Sequence, residues 1–463
     1  MGVDKSHIVH PFDSTQKITF MADVPHLLKN LKSSPLSNKF FIIPNDFKDK
    51  YNLPSVKVDP KHLNELLNYQ EDMELKLTPK LTSSHLDNKH FDKMKVSKAT
   101  DVISHEVGAA LKLVAKENDD DCLNTTAWFL QYVRKWFDLM TSRHPVMALS
   151  KFNFDKYVQT VIFLAEVIQL FKTIKIIDCK NKIKWKPIQT GIIISTVSIL
   201  HLQTSLLGEK QMKYILTSRF TQDFVENFFS LVRYRQIIPT ALQFRHNLKL
   251  ICIAQYLKVP KGSYEIDDGE FVPGFLDLLK NVKKCESKIL LPKDWDINPQ
   301  NLSNAELNCL YNVAGYIVSR LIKSNSVCEV CLSNVASKNN IDSCFSKFVE
   351  LKQYKNSCLV FVTKYIFLNL FCPLEYSFRN LEPHLITSEK SCVLFLKEHF
   401  NNIIKEINLP TCHNIKTKIV NRFINFRLKI FGMKKNKEHS NLKTPEIQLR
   451  SKSSAMRVLA NKI

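Results

Sequence analysis

A mainly α-helical chain with a small α/β part is what this sequence predicts, and three observations carry that. Glycine is scarce, 9 in 463 residues, against 18 Pro and 30 Phe, which disfavours a turn-rich β architecture. From about residue 58 onward, apolar residues recur at three and four in one segment after another. Only two short stretches near the N-terminus carry a strand pattern, KITFMA (17–22) and FFIIP (40–44).

In chain order, KITFMA alternates in polarity as a strand does. Asp23 follows, then Val24-Pro25 and HLLKNLK at helical spacing, with Pro25 suited to a helix's first turn. Asp23 therefore stands where a strand gives way to a helix. FFIIP is expected to be a buried strand beside KITFMA, ended by Pro44. Helices are expected at KHLNELLNYQ, ATDVISHEVGAALKLVAKE, NTTAWFLQYVRKWFDLM and FDKYVQTVIFLAEVIQLFKTI. Two more follow at TQDFVENFFSLVRYR (221–235) and ALQFRHNLKLICIAQYL. A polar linker is expected within 258–300, a last helical region to about 432, and a basic disordered tail over 433–463.

The net charge of +22 suits a polyanionic partner, nucleic acid first and an anionic membrane second; a solvated basic surface without a partner is the bland alternative. The 12 Cys lie mostly singly in apolar runs, which points to reduced thiols in cytosol or nucleus. MGVDKS fits a myristoylation pattern only superficially, and the longest apolar run, Gly191 to Leu207, is interrupted by His201 and Gln203, so no membrane association is expected.

The acids raise the chemical question. Asp23 and Glu226 are the kinds of residue a two-metal nuclease site needs, because Mg²⁺ takes hard oxygen ligands and two such ions about 4 Å apart activate a nucleophile and stabilise a leaving oxygen. By spacing alone, Asp23 is equally a helix cap and Glu226 a surface charge. CEVC supplies Cys328 and Cys331, half of a zinc site that Cys412 and His413, or Cys344, would complete. The alternative, two reduced cysteines at a helix–loop junction, is slightly favoured because the second pair is not evident. Arg427, Lys429, Lys434 and Lys435 cluster in INFRLKIFGMKK, as a solvated face or a DNA contact, and His399 is expected on a helix surface.

Three segments resemble the P-element-like DNA transposases, whose members often carry an N-terminal THAP zinc finger. They are HPFDSTQKITFMADVPHLLKNLK (10–32), LTPKLTSSHLDNKHFDKMKVSKATDVISHEVGAAL (77–111) and YILTSRFTQDFVENFFSLVRYRQIIPTALQFRHNL (214–248). The last is the most specific, with TSRxxQDxxENFFSxxR followed by PTxxQF. The resemblance implies an incomplete RNase H-like domain interrupted by a helical GTP-binding-type insertion. The implied order is 1–57 and 216–257 for the RNase H-like parts, 58–215 for the insertion, and 258–432 for a helical C-terminal domain.

By motif position, the resemblance implies that Asp23 and Glu226 are catalytic ligands of Mg²⁺ or Mn²⁺, with Asp223 near the nucleotide. Asp138 in KWFDLMTSR falls where the family reads guanine, a base whose N1–H and 2-amino group one carboxylate can accept. Lys80, Val96 and Ser104 fall at comparable nucleotide-site positions; the family pattern has Asn where Thr141 stands, a departure that bears on guanine affinity. The chain has no GxxxxGK[ST] loop, so any nucleotide site is unconventional. The implied partners are transposon-end DNA and GTP, with a homo-oligomer acting in the nucleus.

The family's first catalytic Asp belongs on a strand well before Asp23. Only 22 residues precede Asp23, Asp4 and Asp13 lie in loop-like sequence, and the first Cys is Cys122, too late for a finger. The sequence is thus expected to be an N-terminally truncated transposase, unable to cleave DNA by itself. A non-catalytic DNA- or nucleotide-binding derivative and a helical protein-binding scaffold are the alternatives.

Overall fold

A computed structural model describes residues 6–33, 40–86, 95–177, 182–183, 185–235, 238–257, 302–324, 328–337, 343–353, 359–385, 391–410 and 413–441. The chain divides into two compact units. The first holds Met1–Asn227 with Asn304–Cys309 and Lys347–Asn356; the second holds Phe228–Ser303, Leu310–Ser346 and Ser357–Ile463.

The first unit opens on a hairpin. β1 (His7–His10) pairs antiparallel with β2 (Asp13–Thr19). The strand expected over 17–22 thus starts earlier and stops at Thr19, because its partner is the segment just before it and the register runs out there. Phe20 closes the pair by donating to the Ser6 carbonyl at 2.8 Å. β3 (Phe40–Ile42) does not lie beside β2, as the sequence suggested. It pairs on one side with β4 (Lys57–Val58) and on the other with β5 (Lys175–Ile177). Phe41 and Ile176, paired in that sheet, are both buried, so a strand returning from far along the chain covers the apolar edge. Among the described residues no sheet exceeds three strands.

Helices make up the rest of this unit. α1 (Val24–Ser33) buries Leu27, Leu28 and Leu31 at helical spacing. After α2 (Asn45–Lys50), α3 (Lys61–Tyr69), α4 (Ser83–Leu86) and α5 (Val96–Val102), two helices form much of the buried interior of this unit. These are α6 (His105–Asn118) and α7 (Cys122–Met140), packed along each other. Gly108 permits that approach: a Cβ there would stand 2.4 Å from a side-chain carbon of Gln131. Trp136 of α7 is fully buried and donates its indole N–H to Thr196 at 3.0 Å.

α8 (Phe154–Thr173) packs on α9 (Pro187–Gln203), which continues as a π-helical stretch to Glu209. Pro187–Glu209 is long and apolar enough to cross a membrane by length and composition, a reading the sequence had set aside. Its small and polar residues are nevertheless used inside the unit: Gln189, Gly191, Ser195, Thr196 and Ser198 are buried.

The second unit holds α11 (Ala241–Leu257) and, from Leu310 on, α12 (Asn304–Lys323), whose Tyr311 is fully buried. Tyr311 shares its hydroxyl with the backbone of Val362 at 2.8 and 3.0 Å. Val362 belongs to β7 (Phe361–Val362), antiparallel to β6 (Ala336–Ser337), which follows α13 (Glu329–Val335). α14 (Lys347–Lys352) belongs to the first unit, where Lys352 pairs with Glu106 at 2.5 Å. A π-helical stretch, Phe367–Phe371, leads into α15 (Cys372–Leu381), and α16 (Cys392–Ile403) and α17 (Ile415–Asn441) complete the unit. Phe371, Phe378, Phe400 and Phe423 fill its core.

α17 runs to Asn441, nine residues into the stretch expected as a tail. The linker expected within 258–300 lies outside the described residues. Arg427 is neither a solvated charge nor a DNA contact. It is 1% exposed, within 3.0 Å of Glu375, with its guanidinium 4.4 Å from the ring centre of Phe378. His399, expected at the surface, is half-buried, and burial lowers its pKa.

Candidate functional site

The loop before Asp23 is held by α9. Ser198 donates to the carbonyl of Phe20 at 2.5 Å, and Ser195 both donates to the Ala22 carbonyl and accepts from the Ala22 N–H, each at 2.9 Å. Gly191 lets α1 come this close, since a Cβ there would stand 2.5 Å from Leu27 Cδ2. Asp23 then caps α1, accepting from the backbone N–H of His26 at 3.1 Å. The cap and the candidate ligand are thus the same side chain.

The other half of the site arrives through α7. Ser142, just past its C-terminus, donates its backbone N–H to Thr217 Oγ1 at 2.9 Å, and Thr217 donates in turn to the Leu139 carbonyl at 2.6 Å. This fixes the 3₁₀ turn Thr217–Phe220, and α10 (Asp223–Arg235) starts two residues after it. Arg143 pairs with Asp223 at 2.5 Å and ties the same two elements.

The two halves meet at His26. Its Nδ1 lies 2.5 Å from Asp23 Oδ2, and its Nε2 lies 3.9 Å from Glu226 Oε1. The backbone N–H of Gln222 donates to Asp23 Oδ1 at 2.9 Å, a bond between residues 199 positions apart. The Asp23 side chain is 6% exposed and that of Glu226 56%. Asp23 is therefore an anion fixed in the wall, and Glu226 an exposed one at the mouth. His26 thus stands between the two carboxylates, hydrogen-bonded to Asp23 and within ion-pair distance of Glu226.

Carboxylates are the donor type a hard divalent ion takes, although the three donors gathered within 4.8 Å of one another among the described residues lie elsewhere, at Cys328, Cys331 and His413. Asp23 and Glu226 would hold it directly, with His26 giving way or binding through its imidazole. Asp223 stands one helical turn before Glu226 but is engaged by Arg143. Of the earlier acids, Asp13 opens β2, exposed, and closes its own turn by accepting from Thr15 and Gln16; Asp4 lies outside the described residues. His26, Gln222 and Arg143 were not singled out from sequence. His26 was the accessible one, three residues after Asp23 and so on the same helical face.

A second cluster lies where Asp138, near the end of α7, meets α6. Its Oδ1 accepts from Arg134 Nε at 2.9 Å, and its Oδ2 lies 3.7 Å from His105 Nε2. Burial pushes this carboxyl up, but the His105 hydrogen bond and the charge and hydrogen bond of Arg134 outweigh it, so its pKa is lowered. Ser104 caps α6, accepting from Val107 N–H at 3.1 Å. Arg134 also donates to the Thr100 carbonyl at 3.3 Å, so α5, α6 and α7 converge here. Val96 begins α5, half-buried, and Lys80 is exposed in a turn. Thr141 donates to the Phe137 carbonyl at 2.7 Å, where the family's Asn would offer an amide. The structure joins Asp138 to the neighbourhood of Ser104; no contact joins Lys80 or Val96 to Asp138 among the described residues. The cavities of about 300 and 410 Å³ are lined by other residues.

Cys328, Cys331 and His413 form a third cluster, with Sγ and ring nitrogen atoms all within 4.8 Å of one another. Cys344 is exposed and not part of this group, and Cys412 lies outside the described residues.

Residues 45–156 match the family described as "TNP-like, GTP-binding insertion domain". The chain is 26% identical over 339 residues to the "Transposable element P transposase" of Drosophila melanogaster, covering 70% of this chain and 43% of that protein. It thus spans less than half of that curated relative. In the solved "Drosophila P element transposase strand transfer complex", a chain 28% identical superposes with a TM-score of 0.47, over 55% of this chain and 56% of the other. With an insertion domain of that type set in a sequence that aligns with a P transposase over most of its length, this chain is a relative of the P-element-like DNA transposases.

Proposed function

We propose that this transposase-derived chain binds DNA through its basic surface and presents one divalent cation, Mg²⁺ or Mn²⁺, to a phosphodiester through Asp23 and Glu226. The observation that carries this is the meeting of the two carboxylates across one imidazole, His26, in a chain of net charge +22. The bound ion would polarise a phosphoryl oxygen and stabilise charge on the leaving oxygen. The chain's own residues do the rest. Asp23 is held by its cap and by Gln222, Glu226 reaches in from the exposed side, and His26 stands between them.

The full family chemistry uses three carboxylates, and among the described residues two meet at His26. The expected behaviour is therefore binding to duplex DNA, in the nucleus, without strand cleavage above background. In fluorescence anisotropy, affinity should fall steeply with salt, as phosphate contacts require. Mg²⁺ should strengthen binding, and Asp23→Asn with Glu226→Gln should remove that increment while leaving the salt slope. Salt-insensitive binding would instead favour a helical protein scaffold, and robust cleavage with Mg²⁺ or Mn²⁺ would overturn the non-cleaving reading.

A second reading rests on Asp138. Its ionised carboxylate, in a domain of the GTP-binding insertion type, supports guanine-nucleotide binding as an additional or even the retained activity. Association into a homo-oligomer on transposon-end DNA follows from the same kinship as a proposal.

A further inference from the structure

We propose that Cys328, Cys331 and His413 supply three of the four ligands of a Zn²⁺ ion in the second unit. Cys328 sits at the N-cap position of α13, and Cys331 lies one turn on, fully buried. The two sulfurs thus face the same side of one helical turn, a spacing at which thiolate pairs bind zinc. His413 comes from the other end of the unit. It directly precedes Asn414, whose φ of 49° is a left-handed turn that asparagine tolerates, and α17 begins at Ile415. That turn delivers the ring to the thiols: Cys331 Sγ and His413 Nδ1 are 3.6 Å apart across 82 positions.

The separation suits a shared ion as well as a thiol–imidazole hydrogen bond. A sulfur about 2.3 Å and a nitrogen about 2.0–2.1 Å from one tetrahedral zinc stand about 3.6 Å from each other. The whole group, within 4.8 Å, has the spread of donors around a single ion. Thiolate and imidazole are soft and borderline donors, so the site selects Zn²⁺ over the hard ion suited to Asp23 and Glu226. Binding takes each cysteine as a thiolate, so two protons leave as the ion enters. The ion would clip the α13 turn to the start of α17, the longest helix of the unit, and its binding energy would add to folding.

The test is metal analysis of the full-length chain purified without added metal. About one zinc per chain is expected. Cys328→Ser, Cys331→Ser and His413→Ala should each lower the content at least about tenfold, while Cys122→Ser, at an exposed cysteine outside the cluster, should retain it. Should the variants fold poorly, cobalt substitution of the unaltered chain decides. Thiolate-to-cobalt charge-transfer bands with tetrahedral visible bands support the site. Sub-stoichiometric zinc in the unaltered chain, zinc retained by the cysteine variants, or cobalt bands without thiolate character would overturn it.

Discussion

Arg427→Met should lower the unfolding free energy by about 3–5 kcal/mol, the largest loss expected of any single substitution in the second unit. Arg427 and Arg379 grip the two oxygens of Glu375 at 3.0 Å each, and the Glu375 and Arg427 side chains are 0% and 2% exposed. Removing one guanidinium leaves a carboxylate in the core with half its compensation. The desolvation already incurred is then no longer offset. The cation over the Phe378 ring is lost as well. Combining Arg427→Met with Glu375→Leu and Arg379→Leu should recover much of the loss, because well-packed apolar residues often replace a whole buried ionic triad at little cost. Urea unfolding followed by circular dichroism measures all three. A single-variant loss below about 1 kcal/mol, the range of surface pairs, would mean that Arg427 is solvated after all.

The second large effect concerns nucleotide. GTP at about a hundred times its dissociation constant should stabilise the chain by about 2.7 kcal/mol against thermal unfolding. Asp138→Ala should weaken GTP about 10- to 100-fold, the equivalent of losing charge-assisted hydrogen bonds to N1–H and the 2-amino group. Each protein is compared with its own nucleotide-free form, since Asp138 also holds Arg134 and His105. The pH sign follows from its lowered pKa. A depressed carboxyl contributes stability that is fully present above the unfolded value of about 3.9 and is lost as pH falls through the folded value. GTP protection should therefore be flat in Asp138's ionisation between about pH 6 and 8. ATP protecting as well as GTP would remove Asp138 from base recognition.

Much of this was legible in local pattern. The helix carrying Glu226 was readable because its apolar residues repeat at helical spacing, and Asp23 because a strand pattern stops and Pro25 starts a helix turn. What local pattern does not encode is partner choice. β2 pairs with β1 and β3 with β4 and β5, pairings decided by long-range burial that period-two alternation cannot distinguish. Arg427 was mis-sided because α17 carries Lys or Arg every few residues, and the sequence alone does not say which one faces inward. His26 was passed over because a lone histidine usually needs no partner; its meaning appears only once Glu226 is beside it. The Cys328–Cys331 pair was legible as half a zinc site with His413 among its completing candidates; which candidate comes close is set by the fold, across 82 positions from Cys331.

The central claim is that Asp23 and Glu226 hold one divalent ion between them. Fe²⁺ with ascorbate and peroxide cuts the backbone within a few ångströms of a bound ion, so the chain reports its own ligands. Two Mg²⁺-competed cuts are expected, one at Asp23–His26 and one at Gln222–Glu226, both lost in Asp23→Asn. Cleavage at only one of these stretches, or cuts that Mg²⁺ does not suppress, would contradict a shared ion.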